Sequence, residues 1–258
     1  MTSLACRELK LSIGTVQVVT DLNLAIEPGS FWGLLGSNGV GKTTLLKCMA
    51  GLRQPDSGQV ILGAGDVRHI SRREVARHVG MLQQHTAYVF DASVLQTALT
   101  GRHPHLGYWQ NEGPGDLAKA LAALTAVDLE GFAERSVTAL SGGEARRLAF
   151  AALIVQEPGI MLLDEPTNHL DLRHQVRIMG MIRERTLGAR GSAIAALHDV
   201  NLAASYCSHV LMLFGEGQWC AGSTQELLSK ASLERLYGCA VEKLAGTEGP
   251  RFYPLTRQ

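Results

Sequence analysis

Gly36, Ser37, Asn38, Gly39, Val40, Gly41, Lys42, Thr43 and Thr44 carry a glycine, four intervening positions, then glycine-lysine-threonine. That spacing is the one a phosphate-binding loop needs. Glycines let the backbone wrap closely around a polyphosphate, with several N–H groups turned inward as an anion nest. A helix starting directly afterwards adds its positive end, about half an elementary charge. Lys42 supplies a compact cation for the terminal phosphates, and the Thr43 hydroxyl is placed to ligate Mg2+. A glycine-rich turn that merely contains Lys-Thr would leave the flanks unexplained. An apolar run from Phe31 to Leu35 precedes the loop, and a helical pattern follows it as far as Ala50.

Two further groups of residues could act on the same phosphates. Asp164-Glu165 closes the apolar run Ile160-Met161-Leu162-Leu163. A carboxylate at the carboxyl end of a strand, beside a phosphate loop, can hold Mg2+ directly or through water. Glu165 can then polarise a water in line with the γ-phosphate. The plainer alternative is an acidic turn before Pro166. The other group is Leu140, Ser141, Gly142, Gly143 and Glu144, ahead of a strong helical pattern through Arg146, Leu148, Ala152 and Val155. Ser141 and Glu144 have the spacing of a capping box, which is a structural purpose. The two glycines are not explained that way, because they weaken the helix they open. They suit a phosphate approaching the backbone at a helix N-terminus. The chain thus has two anion sites, and if they do not converge in one monomer they share a nucleotide only across a dimer.

These residues need elements to hold them. Residues 4–26 read as two strands around a turn at Ile13-Gly14-Thr15, and Glu27-Pro28-Gly29-Ser30 turns into the buried run before the loop. Pro55-Asp56-Ser57-Gly58 is a second turn, followed by a strand over residues 59–62. Ser71 and Glu74 have capping-box spacing for a short helix to His78, and residues 79–82 form a strand reaching Gln83-Gln84. From about 85 to 140 an Ala- and Leu-rich helical pattern takes over, notably at 117–127. A loop over residues 101–115, with breaks at Pro104 and Pro114, interrupts it. Strand pattern returns at 159–164 and at 192–197, the second ending in His198-Asp199. Two strands around Gly215-Glu216-Gly217, a helix capped by Ser223 and Glu226, another helix and an extended piece near Phe252 complete the chain. Continuous apolar strands alternating with helices mean a mostly parallel sheet buried on both faces.

The expected fold class is therefore α/β: a P-loop NTPase core with a mostly parallel sheet, an N-terminal antiparallel β part and an inserted α-helical sub-domain. Residues 1–84 and 141–258 form the core, and 85–140 the sub-domain, with residues 140–144 at its end. At 258 residues, 46% of them hydrophobic, the chain suffices for one such domain. Lys+Arg and Asp+Glu both total 24, so charge gives no argument for a nucleic-acid partner. The cysteines Cys6, Cys48, Cys207, Cys220 and Cys239 are scattered and make no Cys-x-x-Cys pair, so neither a disulfide framework nor a zinc knuckle is expected. Ser3-Leu4-Ala5-Cys6 lacks a preceding apolar stretch of signal-peptide length, and no run approaches the ~18 apolar residues of a membrane span. The expectation is a soluble, cytoplasmic chain whose membrane role comes through a partner.

Residues 140–144 resemble the signature of the ATP-binding cassette (ABC) ATPases, and the likeness runs from about Leu4 to Gly238. In that family two cassettes sandwich two ATP molecules head to tail. The resemblance implies that residues 36–44 of one copy face Ser141, Gly142 and Gly143 of the other. It places Gln84 at the Q-loop glutamine, which ligates Mg2+ and contacts the membrane partner, with Gln83 as the neighbouring choice. Asn168-His169-Leu170-Asp171 resembles the D-loop, which adds Asp171 to the nucleotide-binding set. His198 resembles the switch histidine that steadies the γ-phosphate and the attacking water. The implied cofactor is Mg2+ with ATP, held by Thr43, Gln84 and Asp164. The implied catalytic set is Glu165, His198, Lys42 and Gln84. One departure is Ile13, which stands where relatives commonly place an aromatic ring against adenine.

Gly101-Arg102-His103-Pro104-His105 and Leu170-Asp171-Leu172-Arg173-His174-Gln175 resemble cassettes of iron-siderophore, haem and cobalamin importers. That implies a second copy of the chain, a polytopic permease dimer and, indirectly, a periplasmic substrate-binding protein as partners. It also implies a place on the cytoplasmic face of the inner membrane, peripheral through the permease. Two alternatives stay open: the ATPase of an exporter or lipid-extraction system, and a soluble non-transport ABC ATPase. The second usually carries paired cassettes, a coiled-coil insertion or zinc-binding cysteines, none of which occurs here. A binding-only cassette is opposed by Lys42, Asp164, Glu165 and His198 together. The region from His85 to Gly115, with Tyr88, Phe90, Tyr108 and Trp109, is expected to dock the permease. His103-x-His105 lacks the cysteines or carboxylates that would make it a metal pair.

Overall fold

The computed structural model describes residues 2–84, 88, 91–189, 191–246 and 249–255, so His85 and Phe90 of the expected docking region lie outside it. β1 (Leu4–Ile13) and β2 (Val16–Ile26) pair as an antiparallel hairpin. Cys6 and Leu9 are both buried although they lie three positions apart, because the register shifts there and Glu8 sits at φ 47°. The extra residue is a bulge that keeps both side chains on the inner face. β4 (Ser57–Leu62) and β5 (Gly65–Asp66) extend this sheet in the order β2-β1-β4-β5.

The second sheet is built on β3 (Phe31–Gly36), β6 (Val79–Leu82), β7 (Ile160–Asp164), β8 (Ser192–Ala196), β9 (His209–Gly215) and β10 (Gln218–Ser223). Its order is β10-β9-β3-β8-β7-β6, parallel throughout except for β10. Successive residues of a strand point to opposite faces, and here both faces are covered. Trp32, Leu34, Ile160, Leu162, Ile194 and Leu211 pack toward β1, β2 and the buried face of α1 (Lys42–Met49). Phe31, Leu35, Met161, Leu163, Ala193, Ala195 and Val210 pack toward the remaining helical layer.

That layer includes α3 (Val94–Leu99), α4 (Pro114–Ala126), α5 (Gly142–Gln156), α6 (Leu172–Thr186), α7 (Val200–Tyr206) and α9 (Lys230–Tyr237). α2 (Arg72–His78) lies against the other face through Val75, and α8 (Thr224–Leu227) is a single turn. A hairpin of β11 (Val241–Gly246) and β12 (Gly249–Pro254) docks on α7, where the Asn201 amide pairs with both backbone groups of Phe252 at 2.8 and 3.1 Å.

Pro114 does not break the segment as its composition suggests. It opens α4 at the first helical position, where its missing N–H is no loss. Asp116 then accepts the Gly113 N–H at 3.0 Å. Arg102, buried beneath, donates to Asp116 at 2.7 Å, Glu157 at 3.0 Å and the Val155 carbonyl at 3.1 Å, tying α4 to the end of α5. His105 bonds the Gln156 carbonyl at 2.8 Å, which accounts for it as a packing histidine. Among the described residues no helix is long and apolar enough to cross a membrane.

Candidate active site

Strand register brings the chemistry to one edge. Leu34 of β3 and Asp164 of β7 both pair with Ala196 of β8, and Leu82 of β6 pairs with Leu163 of β7. The chain segments leaving these strands carry Ser37, Gln84, Glu165 and the Leu197-His198 pair within their first two residues. They therefore emerge side by side at the carboxyl ends of parallel strands, where open α/β sheets bind ligands.

Between β3 and α1 the loop takes a backbone that a side chain would spoil. Gly41, at φ 108°, caps α1, and a Cβ there would stand 2.5 Å from both methyls of Val18. Val40 points into the core and pins the loop. Lys42 is buried, and its amine donates to the carbonyls of Gly36 at 2.7 Å and Ser37 at 3.1 Å. Burial pulls the Lys42 pKa down, with Glu165 and Asp164 opposing part of the fall.

A cleft of about 580 Å3 opens over this loop. Asn38, Gly39, Gly41, Lys42, Thr43 and Thr44 form its floor, and Gln84, Glu165, Asn168 and His198 form one wall. Ile13 lines its rim and is 37% exposed. Glu165 accepts from His198 Nε2 at 2.6 Å and from the Asn168 side chain. Burial alone would raise the Glu165 pKa. The His198, Gln84 and Lys42 groups around it outweigh that and hold the carboxyl below its ordinary range. Glu165 also takes φ 53°, a left-handed backbone that a non-glycine residue keeps only where its surroundings impose it.

Asp164 is 1% exposed, and neither of its carboxylate oxygens has a hydrogen-bond partner. Burial pushes its pKa up; the Thr43 hydroxyl and Arg146 oppose this, the hydroxyl lying near but outside hydrogen-bond geometry. A buried carboxylate without donors is costly unless a cation meets it. Thr43 lies beside Asp164, and Gln84 lines the cleft with Thr43; each carries an oxygen of the kind a hard divalent ion takes. No group of three His, Cys, Asp or Glu among the described residues could hold a metal without help. Mg2+ does not need one, since it takes one or two carboxylates with phosphate and water as the other ligands.

The other expected site residues lie elsewhere. Ser141, Gly142 and Gly143 are not among the residues lining this cleft. Ser141 caps α5, with Glu144 closing the box at 2.7 and 3.3 Å. A Cβ on Gly142 would meet nothing within 4 Å, so none of the described residues requires that glycine. Asp171 caps α6 and accepts from the His174 ring at 2.8 Å, away from the cleft. Gln83 lines a separate cleft of about 370 Å3 beside Leu52, Arg53, Ile70 and Met81. Asn168, read beforehand only as part of a loop, proves to line the cleft and hold Glu165; its position three residues after Glu165, inside one turn, is the local signal.

Comparisons with known proteins agree with this geometry. A family model described as ABC transporter matches residues 19–168. The ferric enterobactin transport ATP-binding protein FepC of Escherichia coli (strain K12) is 36% identical over 97% of this chain and 93% of its own length. The hemin import ATP-binding protein HmuV of Myxococcus xanthus (strain DK1622) is 36% identical over 98% of this chain and 97% of its own. A solved inward-facing structure of a metal-chelate type ABC transporter superposes with a TM-score of 0.85 at 25% identity, covering 100% of this chain and 99% of that one. A family match over more than half of the chain and relatives aligned nearly end to end place it plainly: the chain belongs to the ABC transporter family, among its ATP-binding subunits.

Proposed function

We propose that the chain is the ATP-hydrolysing motor of an importer that carries a metal chelate, in the class of iron-siderophore, haem or cobalamin, through a partner permease. The observation that carries this is the Glu165–His198 pair facing the Lys42 loop across one cleft, in a chain whose relatives are named for ferric enterobactin transport and hemin import. Residues 1–84 and 141–258 act as the ATPase core and 85–140 as the helical sub-domain bearing residues 140–144 at its end. Residues 36–44 cradle the triphosphate through backbone N–H groups and the Lys42 amine, while Ile13 lies against the base. Thr43, Gln84 and Asp164 would hold Mg2+, which when bound neutralises charge on the phosphates during in-line transfer. Glu165, ionised at neutral pH, orients the attacking water, and His198 steadies the γ-phosphate and that water. Ser141, Gly142, Gly143 and Asp171 act on the nucleotide of a second copy in a head-to-tail dimer.

The chain then works at the cytoplasmic face of the inner membrane, held there by a permease dimer that a periplasmic binding protein supplies. The exposed Tyr108–Trp109 pair, edge to face at 5.1 Å, belongs to the surface offered to the permease. Glu165→Gln tests the assignment. The variant is expected to bind MgATP, accumulate as a closed dimer and turn over roughly 10²–10⁴-fold more slowly, the range for losing a positioned base. Full turnover by Glu165→Gln removes Glu165 from the role, and failure to dimerise with ATP removes the head-to-tail reading.

A further inference from the structure

Arg146 stands on the second turn of α5, five positions after Ser141, and is 4% exposed. One terminal nitrogen of its guanidinium donates to the carbonyls of Gln83 and, at 3.3 Å, Gln84. The other donates to the carbonyls of Asp164 and, at 2.7 Å, Glu165. These acceptors sit on the two chain segments leaving the adjacent strands β6 and β7. They include the backbone of two residues whose side chains line the cleft, Gln84 and Glu165, and of the buried Asp164 that ends β7. Fixing a carbonyl fixes its peptide plane, and with it the directions in which the flanking side chains leave. Charge-assisted bonds from a planar fork do this more stiffly than neutral ones. Glu165 is the residue that most needs holding, given its φ of 53°. Apart from the Arg146 contact, its backbone N–H donates to Ala196 at 3.2 Å and its carbonyl accepts the Asn168 N–H at 3.2 Å.

The same arginine shares a rigid helix with Ser141 and Gly142. The closed capping box keeps the tip of α5 continuous with its second turn, so a displacement of the tip reaches Arg146 undamped. We propose that Arg146 is a positioning residue that couples the two nucleotide sites of the dimer. A nucleotide drawn against Ser141–Gly143 shifts α5, and Arg146 carries that shift to Gln84 and Glu165 of its own chain's site. This rests on the head-to-tail reading given above.

The test uses the full chain with Arg146→Lys and Arg146→Met, measuring kcat, KM and the Hill coefficient for MgATP together with affinity for a fluorescent ATP analogue. Lysine keeps the charge but cannot span two pairs of carbonyls. Arg146→Lys is expected to lower kcat at least about tenfold and bring the Hill coefficient toward one, with analogue affinity within about threefold of wild type, the split of a group that acts after binding. Arg146→Met should fall further along the same line; if it fails to fold, the lysine variant carries the result. Unchanged kcat and Hill coefficient overturn the proposal. A parallel loss of kcat and analogue affinity also overturns it, because it marks a merely structural arginine. Glu165→Gln separates this from the underlying reading: a nucleotide-trapped dimer with wild-type turnover in Arg146→Lys sinks only the coupling role.

Discussion

Ile13 shows how far a single residue can tune this site. It closes β1 at the rim of the cleft, with its side chain partly in solvent. An aliphatic branch there offers a base some apolar surface but no π-face. Base–aromatic stacking contributes on the order of 1–3 kcal/mol and tolerates any base. Ile13→Tyr should therefore lower KM for both ATP and GTP by roughly tenfold, about 1.4 kcal/mol, and leave kcat nearly unchanged. The wild-type chain should hydrolyse GTP appreciably for the same reason. Steady-state kinetics with both nucleotides decides it; an unchanged KM in the tyrosine variant would show that the base does not lie on Ile13. Lys42 and His198, which line the cleft, and Asp164 behind it were legible beforehand, because the first ends a glycine-rich loop and the other two end or follow an apolar run. Arg146 was not, since its acceptors are carbonyls 62–63 positions earlier and 18–19 later, and no side-chain pattern records them.

At the scale of elements, what the strands announced and what the helical segment hid have different causes. Strands buried on both faces leave continuous apolar runs, so β3, β7 and β8 could be read with bounds correct to a residue or so. α3 is six residues long, too short for a 3.6-residue period to stand out, and Pro114 looked like a breaker because a helix start and a loop use proline alike. The contact that docks α3's end on α5 depends on Gly101. A Cβ there would lie 2.2 Å from the Ala152 carbonyl oxygen and 2.9 Å from the Gln156 backbone nitrogen, atoms of a helix that cannot step aside. Gly101→Ala must separate the two elements and strain Arg102's bonds to Asp116 and Glu157. The expected destabilisation is about 1–3 kcal/mol, read as a thermal midpoint lower by roughly 2–10 °C. Because the Lys42 loop packs on the opposite face of the sheet, nucleotide affinity at low temperature should survive. A midpoint equal to wild type would mean the 3-10 turn at Thr100–Arg102 is free to lift from α5.

At the scale of the whole molecule, the two expected anion sites lie at two separate places. Lys42, Thr43 and Glu165 meet in one cleft, while Ser141 and Gly142 lie exposed at the tip of α5 and line no part of it. Gly142 has open space around its Cα, so none of the described residues demands a glycine there. In the head-to-tail dimer proposed above, a second copy related by a two-fold axis would supply that demand, each tip meeting the other's loop. Cysteine pairing can tell this from a rearrangement within one chain. Cys6, Cys48 and Cys207 are buried and Cys239 is exposed, so a Cys239→Ser, Glu165→Gln background removes the most accessible native thiol while trapping nucleotide. Asn38→Cys is placed in one preparation and Ser141→Cys in another, each chain carrying a single new cysteine. Mixed with MgATP and a mild oxidant, they should yield a disulfide-linked pair of chains, and much less of it without nucleotide. A chain bearing both substitutions should also link chiefly to its neighbours, with little internal closure. If mixing single-cysteine chains gave no linked pair while the double variant closed on itself, the tip of α5 would serve its own loop, and a head-to-tail dimer would no longer account for the two anion sites.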